Sequence, residues 1–143
     1  MVKGMNQNSF DNIDDLLRKP YWIIDILPKQ VPSNSEGQYF AIEQYFLNGE
    51  RAEIIKRKQL NMILKVNCYK DLVVDGLGKN PIPEELAKVM MEHETRILIH
   101  DALLVTEPAD TYLTIYNPDE QLLDLITKVA SSEGLFTWKG NGF

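Results

Sequence analysis

Two aspartates and two histidines are the residues of this sequence whose types could combine into acid–base chemistry. Asp25 falls in the apolar run YWIIDIL (residues 21–27). Asp101 falls in RILIHDALLVT (residues 96–106), directly after His100, and His93 lies a little upstream. If both runs are strands, the two-residue period puts Asp25 on the face of Tyr21, Ile23 and Leu27, and Asp101 on the face of Ile97, Ile99, Leu103 and Val105. Burial raises the pKa of each carboxyl, and mutual closeness splits the two values, as a general acid and a general base require. A small enzyme using Asp25 and Asp101 with His93 or His100 in a cleft is therefore one reading. The plainer alternative is that each carboxylate is paired with a Lys, an Arg or a backbone donor. His100 and Asp101 are neighbours in one expected strand and face opposite ways, so they form no dyad with each other unless a bulge intervenes.

The other chemical signatures are weaker. Ile97 stands four residues after His93, so HExxH is absent. His93 at a helix end and His100 in a strand have no fixed mutual geometry, and lone Cys68 is remote; no metal site is expected. Cys68 is a nucleophile only in an electropositive setting, which Lys65 and Lys70 could provide, and as a single cysteine it excludes an internal disulfide. Packing is its commoner use. GLGKN (residues 76–80) has the spacing of neither GxGxxG nor GxxxxGK[ST], and the strong helix starts near Pro81 and Pro118 are followed by the chain's own acids. No cofactor is expected.

Charge narrows the partner class. The net charge is −6. Residues 1–49 carry 4 basic and 6 acidic groups, residues 50–70 carry 6 and 2, and residues 71–143 carry 5 and 13. A chain built to track phosphates shows a strong basic face. Here Arg51, Lys56, Arg57, Lys58, Lys65 and Lys70, interleaved with Asn67 and Tyr69, do not share one helical face. Weak RNA or DNA binding through residues 51–70 is thus a third reading, and a disfavoured one.

Tyr21, Trp22, Tyr39, Phe40, Tyr45, Phe46 and Trp138 supply more aromatic area than one small core must hold with every polar tip satisfied. Any that are exposed make an interaction surface, and Tyr39, Tyr45, Arg57, Lys58 and Tyr69 are the candidate binding residues. The leading reading is a non-catalytic intracellular protein-interaction or accessory module, its partner another protein or a second copy of itself. An acidic protein that neutralises a basic partner, as an immunity protein neutralises a toxin, is one concrete version. The composition is that of an ordinary soluble globular chain. No apolar run reaches the roughly 18–20 residues of a membrane span, no signal-peptide core opens the chain, and a cytoplasmic location is expected.

The elements that must position these residues form one domain over residues 10–143, preceded by a tail over 1–9. Phe10, Ile13, Leu16 and Leu17 have helical spacing and end against Pro20. Residues 21–27 read as a central strand. Capping-box spacing at Ser33/Glu36 and Ser35/Gln38 introduces a helix over about 39–47, in preference to the hairpin that Asn48-Gly49 would also allow. Residues 50–68 read as a long helix, with Glu53 and Arg57 as a favourable i,i+4 pair, although the apolar even positions Leu60, Met62, Leu64, Val66 and Cys68 would also suit a half-buried strand; residues 71–75 read as a strand. A loop with a possible hinge follows over 76–83. A helix over 84–94, with Leu86, Val89, Met90 and His93 on or near its inner face, leads into the longest strand, 96–106. Residues 111–116 pair back on that strand. Asn117, as N-cap before Pro118, starts a helix carrying Leu122, Leu123, Ile126, Val129 and Ala130. Gly134 stops it and 135–138 is a short strand. The sum is α+β: a two-layer sandwich with a mixed sheet of about five strands and helices mainly on one face.

Overall fold

The computed structural model describes residues 10–32 and 34–140. The tail expected over residues 1–9 lies outside the described residues, as does Ser33. Among those described are five α-helices: α1 (Ile13–Leu16, continuing a 3-10 turn at Phe10–Asn12), α2 (Tyr39–Phe46), α3 (Gly49–Asn67), α4 (Pro83–Glu92) and α5 (Glu120–Ser132). Seven strands accompany them: β1 (Tyr21–Asp25), β2 (Val73–Val74), β3 (Gly78–Lys79), β4 (Thr95–Ile99), β5 (Ala102–Thr106), β6 (Leu113–Tyr116) and β7 (Phe136–Lys139). They form one sheet in the order β3-β2-β4-β5-β6-β1-β7. The fold is α+β.

Every neighbouring pair in the sheet is antiparallel, so the expected mixed sheet of about five strands is corrected to seven antiparallel ones. Strands β6 and β7, joined through α5, are parallel to each other, but β1 lies between them and is antiparallel to both. The two additional strands have separate causes. Residues 76–83, expected as a loop, contain β3, which forms a hairpin with β2 and sets Val73 opposite Lys79. Asn80 adopts φ +47 and ties it down, its Oδ1 accepting from Leu72 N–H and from Asn67 Nδ2. The run expected as one strand over 96–106 folds back on itself, with Ile99 opposite Ala102 and His100-Asp101 as a two-residue turn. His100 takes φ +57 to make that turn, a conformation usually left to glycine.

The helices follow the apolar spacing. Helix α3 buries Ile55, Met62, Ile63 and Val66, α4 buries Leu86 and Met90, and α5 buries Leu122, Ile126 and Ala130. These close over one face of the sheet, against Ile24, Val74, Ile97, Ile99, Leu104, Leu113 and Ile115. Two caps differ from expectation. Asp119, not Asn117, caps α5, its Oδ1 accepting from Leu122 N–H at 2.8 Å. Asn117 is held left-handed at φ +61 and donates its N–H to Pro20 O, so its backbone serves the sheet end. Ser35 does not cap α2; its Oγ accepts from Gly37 N–H. Gly134 does stop α5, at φ +78.

The opposite sheet face is partly covered. The N-terminal helical segment sets Ile13, with Phe10, Leu16 and Leu17, against Leu98, Leu103, Val105 and Tyr116. Beyond that segment, over β6, β1 and β7, the face is open enough to form a cleft. Among the described residues no helix is long and apolar enough to cross a membrane.

Candidate functional site

A cleft of about 530 Å³ occupies this second face. Strand alternation supplies its floor. Tyr21, Ile23 and Asp25 of β1 project to the side opposite the core residue Ile24, as do Thr114 and Tyr116 of β6 relative to Leu113 and Ile115. Trp138, opposite Ile23 in register, continues the floor onto β7. Leu17 at the end of the N-terminal segment forms one wall. The other is the loop through Leu27, Lys29 and Val31 together with Tyr39 and Glu43 of α2. Trp138 Nε1–H donates to Leu27 O at 3.0 Å and fastens that wall to the floor.

Three carboxylates line it: Asp25, Glu43 and Asp110. Asp25 is 5% exposed. Its Oδ1 accepts from Ile26 N–H at 2.6 Å and from Thr111 Oγ1–H at 3.3 Å. Burial pushes its pKa up, those hydrogen bonds pull it partly back, and Glu43 adds to the rise. Asp110 is raised as well, first by burial, with Lys56 opposing and Glu43 reinforcing the shift. Tyr39 O–H donates to Glu43 Oε2 at 3.0 Å, and burial with that bond pushes the phenol up to about 12. Tyr112, also on the lining, is raised by burial and by Asp110, Asp25 and Glu43. Lys29 is the one basic side chain among the described lining residues. The cleft is thus an acidic, aromatic-walled recess whose carboxylates suffer from incomplete solvation and from one another's charge.

The other predicted site residues lie elsewhere. Asp101 and His100 are exposed in the β4–β5 turn, not on a strand face. Register places Asp25 level with Tyr112 and Asp101 about two positions past Tyr116, which is roughly 20 Å along the strands at about 3.3 Å per residue. The structure does not bring the two carboxylates together, and they share no proton. His93 is exposed at the C-terminal cap of α4, not on its inner face, and lies at the end of β4 opposite to His100. Neither histidine lines the cleft. Cys68 is an exposed thiol after α3. Among the described residues no group of three or more His, Cys, Asp or Glu is placed to hold a metal ion.

Of the candidate binding residues, Tyr39 belongs to the cleft. Tyr45 is exposed beneath the Arg51 guanidinium, 4.0 Å from its ring centre, while Arg51 Nε–H donates to Tyr45 O. Arg57 and Tyr69 are exposed on and after α3. Lys58 donates to Glu133 O, and Lys65 pairs with the Glu133 carboxylate at 2.6 Å. Lys56 is buried and donates to Gln59 Oε1 and to Glu107 O. Four of the six cations of residues 51–70 therefore serve the protein's own groups.

Sequence reasoning missed Glu43, Asp110 and Tyr112. Glu43 reads as a polar position of an exposed helix and Asp110 as a turn residue. Only the i,i+4 spacing of Tyr39 and Glu43 hinted at their pairing. It also missed Gly140, whose N–H donates to Tyr21 O and on which a Cβ would overlap the Tyr21 ring. Gly140→Ala will push that ring off the floor and out of its tilted contact with Tyr116, now 5.5 Å between centroids. The expected cost is about 1 kcal/mol, a fall of roughly 2–4 °C in Tm. An unchanged melting curve would show that the ring moves aside freely. Comparison of the chain with protein-family models, curated proteins and solved structures found no match, so the chemistry of the cleft rests on its own residues.

Proposed function

We propose that the protein is a non-catalytic binding module whose cleft receives a cationic group, an arginine or lysine side chain, from a protein partner. One observation carries this reading: Asp25, Glu43 and Asp110 converge on one aromatic-walled recess in which Lys29 is the one basic residue among the described lining residues. A guanidinium or ammonium there would meet several acceptors, stack against the tyrosine and Trp138 rings, and offset the lost solvation, and the lesser repulsion from Glu43, that raise the Asp25 and Asp110 pKa values. The excess of acidic groups over the C-terminal half of the chain would steer a basic partner toward it. A cytoplasmic setting accompanies this reading, since the exposed Cys68 stays a thiol in a reducing compartment. The carboxylate–histidine alternative needs Asp101 with His93 or His100, and none of these three lines this cleft.

Asp25→Asn tests it. The amide keeps the acceptor for Ile26 N–H and Thr111 Oγ1–H but removes the charge. Titration with N-ethylguanidinium, followed by NMR shifts of cleft residues, should show saturable binding to the wild type and at least about tenfold weaker binding to the variant. Wild-type binding should also weaken as pH falls through the raised Asp25 pKa, above the ordinary aspartate range. Because that pKa is raised on folding, ionised Asp25 opposes folding at neutral pH, so Asp25→Asn should be at least as stable as the wild type. Guanidinium binding that is absent in the wild type, or equal in both proteins, would overturn the proposal.

A further inference from the structure

Next to the acidic cleft lies an apolar groove of about 290 Å³, lined mainly by Ile26, Leu27, Val31, Ile42 and Phe46. The two recesses share Leu27, Val31, Tyr39 and Glu43, so a single ridge, built from the start of α2 and the preceding loop, separates them. The two sides differ sharply in chemistry: carboxylates and phenols on one, aliphatic and aromatic carbon on the other. Helix α2 buries none of its residues, although Tyr39, Phe40, Ile42, Tyr45 and Phe46 make it strongly apolar. Ile42 remains 47% exposed. An apolar helix whose side chains the core does not use is the expected signature of a surface completed by a partner.

We propose that groove and cleft are the two halves of one binding site, and that the occupant is an extended peptide segment of a partner protein with a basic residue directly next to a large apolar one. The inference rests on the cationic reading of the cleft. Charge complementarity at Asp25, Glu43 and Asp110 selects the basic residue. Its neighbour is selected by strand geometry, because adjacent side chains of an extended chain point to opposite sides. A backbone lying across the Tyr39–Glu43 ridge therefore directs one side chain into the cleft and the next into the groove. The basic residue alone would bind only modestly, since the cost of removing its charge from water offsets much of the attraction of the cleft carboxylates. Burial of the apolar neighbour supplies affinity and makes the pair of residues, rather than charge alone, the recognised feature.

The test uses the full chain and three probes: Ac-Arg-Gly-NH2, Ac-Arg-Phe-NH2 and Ac-Glu-Phe-NH2. In the wild type, Ac-Arg-Phe-NH2 should bind at least about tenfold tighter than Ac-Arg-Gly-NH2, and Ac-Glu-Phe-NH2 should not bind. Ile42→Ser, at an exposed position that carries none of the core, should erase the advantage of phenylalanine while leaving Ac-Arg-Gly-NH2 affinity unchanged. Equal affinity of the two arginine probes would overturn the two-part site and leave the cationic cleft standing. Binding of neither would overturn both. A tenfold advantage that survives Ile42→Ser would place the apolar residue elsewhere and overturn the groove assignment. So would a sedimenting wild-type dimer that Ile42→Ser dissociates, because the groove's occupant would then be a second copy of this chain.

Discussion

Ile126→Asp will cost the protein more than about 4 kcal/mol of stability and lower its Tm by at least about 8 °C. Ile126 is fully buried midway along α5, flanked by the buried residues Leu122 and Ala130 one turn to either side. Nearby core residues include Met62 and Ile63 of α3 and Ile115 of β6, all apolar. The substitution removes the apolar contacts of isoleucine and forces a carboxylate into a region without a partner, and either protonation or exposure of that group costs several kcal/mol. Against a total stability of about 5–15 kcal/mol for a domain of this kind, a loss above about 4 kcal/mol removes between about a quarter and nearly all of it. Thr127→Asp, one residue on at an exposed position, is the control and should change stability by no more than about 0.5 kcal/mol. Circular dichroism melts of the two variants separate the cases. A wild-type Tm for Ile126→Asp would mean that α5 does not pack on the sheet through this face.

The second large effect depends on pH and comes from Lys56. Its side chain is 4% exposed, and its ammonium donates to Gln59 Oε1 and to the Glu107 carbonyl. Desolvation lowers its pKa to about 8 from the ordinary 10.5, with Asp110 and Glu107 limiting the fall. A lysine whose pKa is depressed on folding binds less proton in the folded than in the unfolded chain between those two values. Stability therefore rises with pH across roughly 8 to 10.5, with a limiting slope of about 1.4 kcal/mol per pH unit and a total of about 3 kcal/mol. Above pH 10 the raised phenols of Tyr39, Tyr112 and Tyr116 act in the opposite sense, because the unfolded chain ionises them first. Urea unfolding from pH 7 to 11 should thus show stability climbing to a maximum near pH 10 and then falling. Lys56→Met, which keeps the length and removes the charge, should flatten the climb and leave the fall. Identical profiles for the two proteins would show that Lys56 keeps an ordinary pKa in the folded state.

Lys56 also bears on the cleft. Its charge lowers the Asp110 pKa while Glu43 raises it, so the carboxylate facing the cleft is balanced between a buried cation and a neighbouring anion. Buried Gln59, one turn further along α3, leaves its Nε2 without a hydrogen-bond partner in the protein, and Thr106 Oγ1 is likewise unpartnered. Asp25, Asp110 and Lys56, whose charged forms burial disfavours, thus lie in or next to the cleft.

Local spacing alone determined the helices α1, α4 and α5, the strands β1, β2 and β7, the pairing of residues 102–106 with 113–116, and the left-handed stop at Gly134; for α2 and α3, where a hairpin at Asn48-Gly49 and a strand over residues 60–68 competed, it favoured the helix without excluding the other. Each depends on a periodicity or a turn residue within a short window, and such signals are the same in an isolated segment as in the folded chain. Tertiary structure alone decided the rest. The run 96–106 is apolar on both sides of His100-Asp101 and has no glycine or Asn-Gly at its middle, so that polar pair alone does not distinguish one long strand from a hairpin. The fold forces His100 left-handed because two five-residue strands must both cover the core, and that removes Asp101 from the sheet face on which alternation had placed it. Lys56 looked like one more surface cation, since its burial depends on how α3 meets the turn after β5. The cleft itself joins Asp25, Glu43 and Asp110 from three segments far apart in the chain. No spacing rule reaches across such separations; the register of β1 against β6 and the path of the 27–31 loop set them side by side.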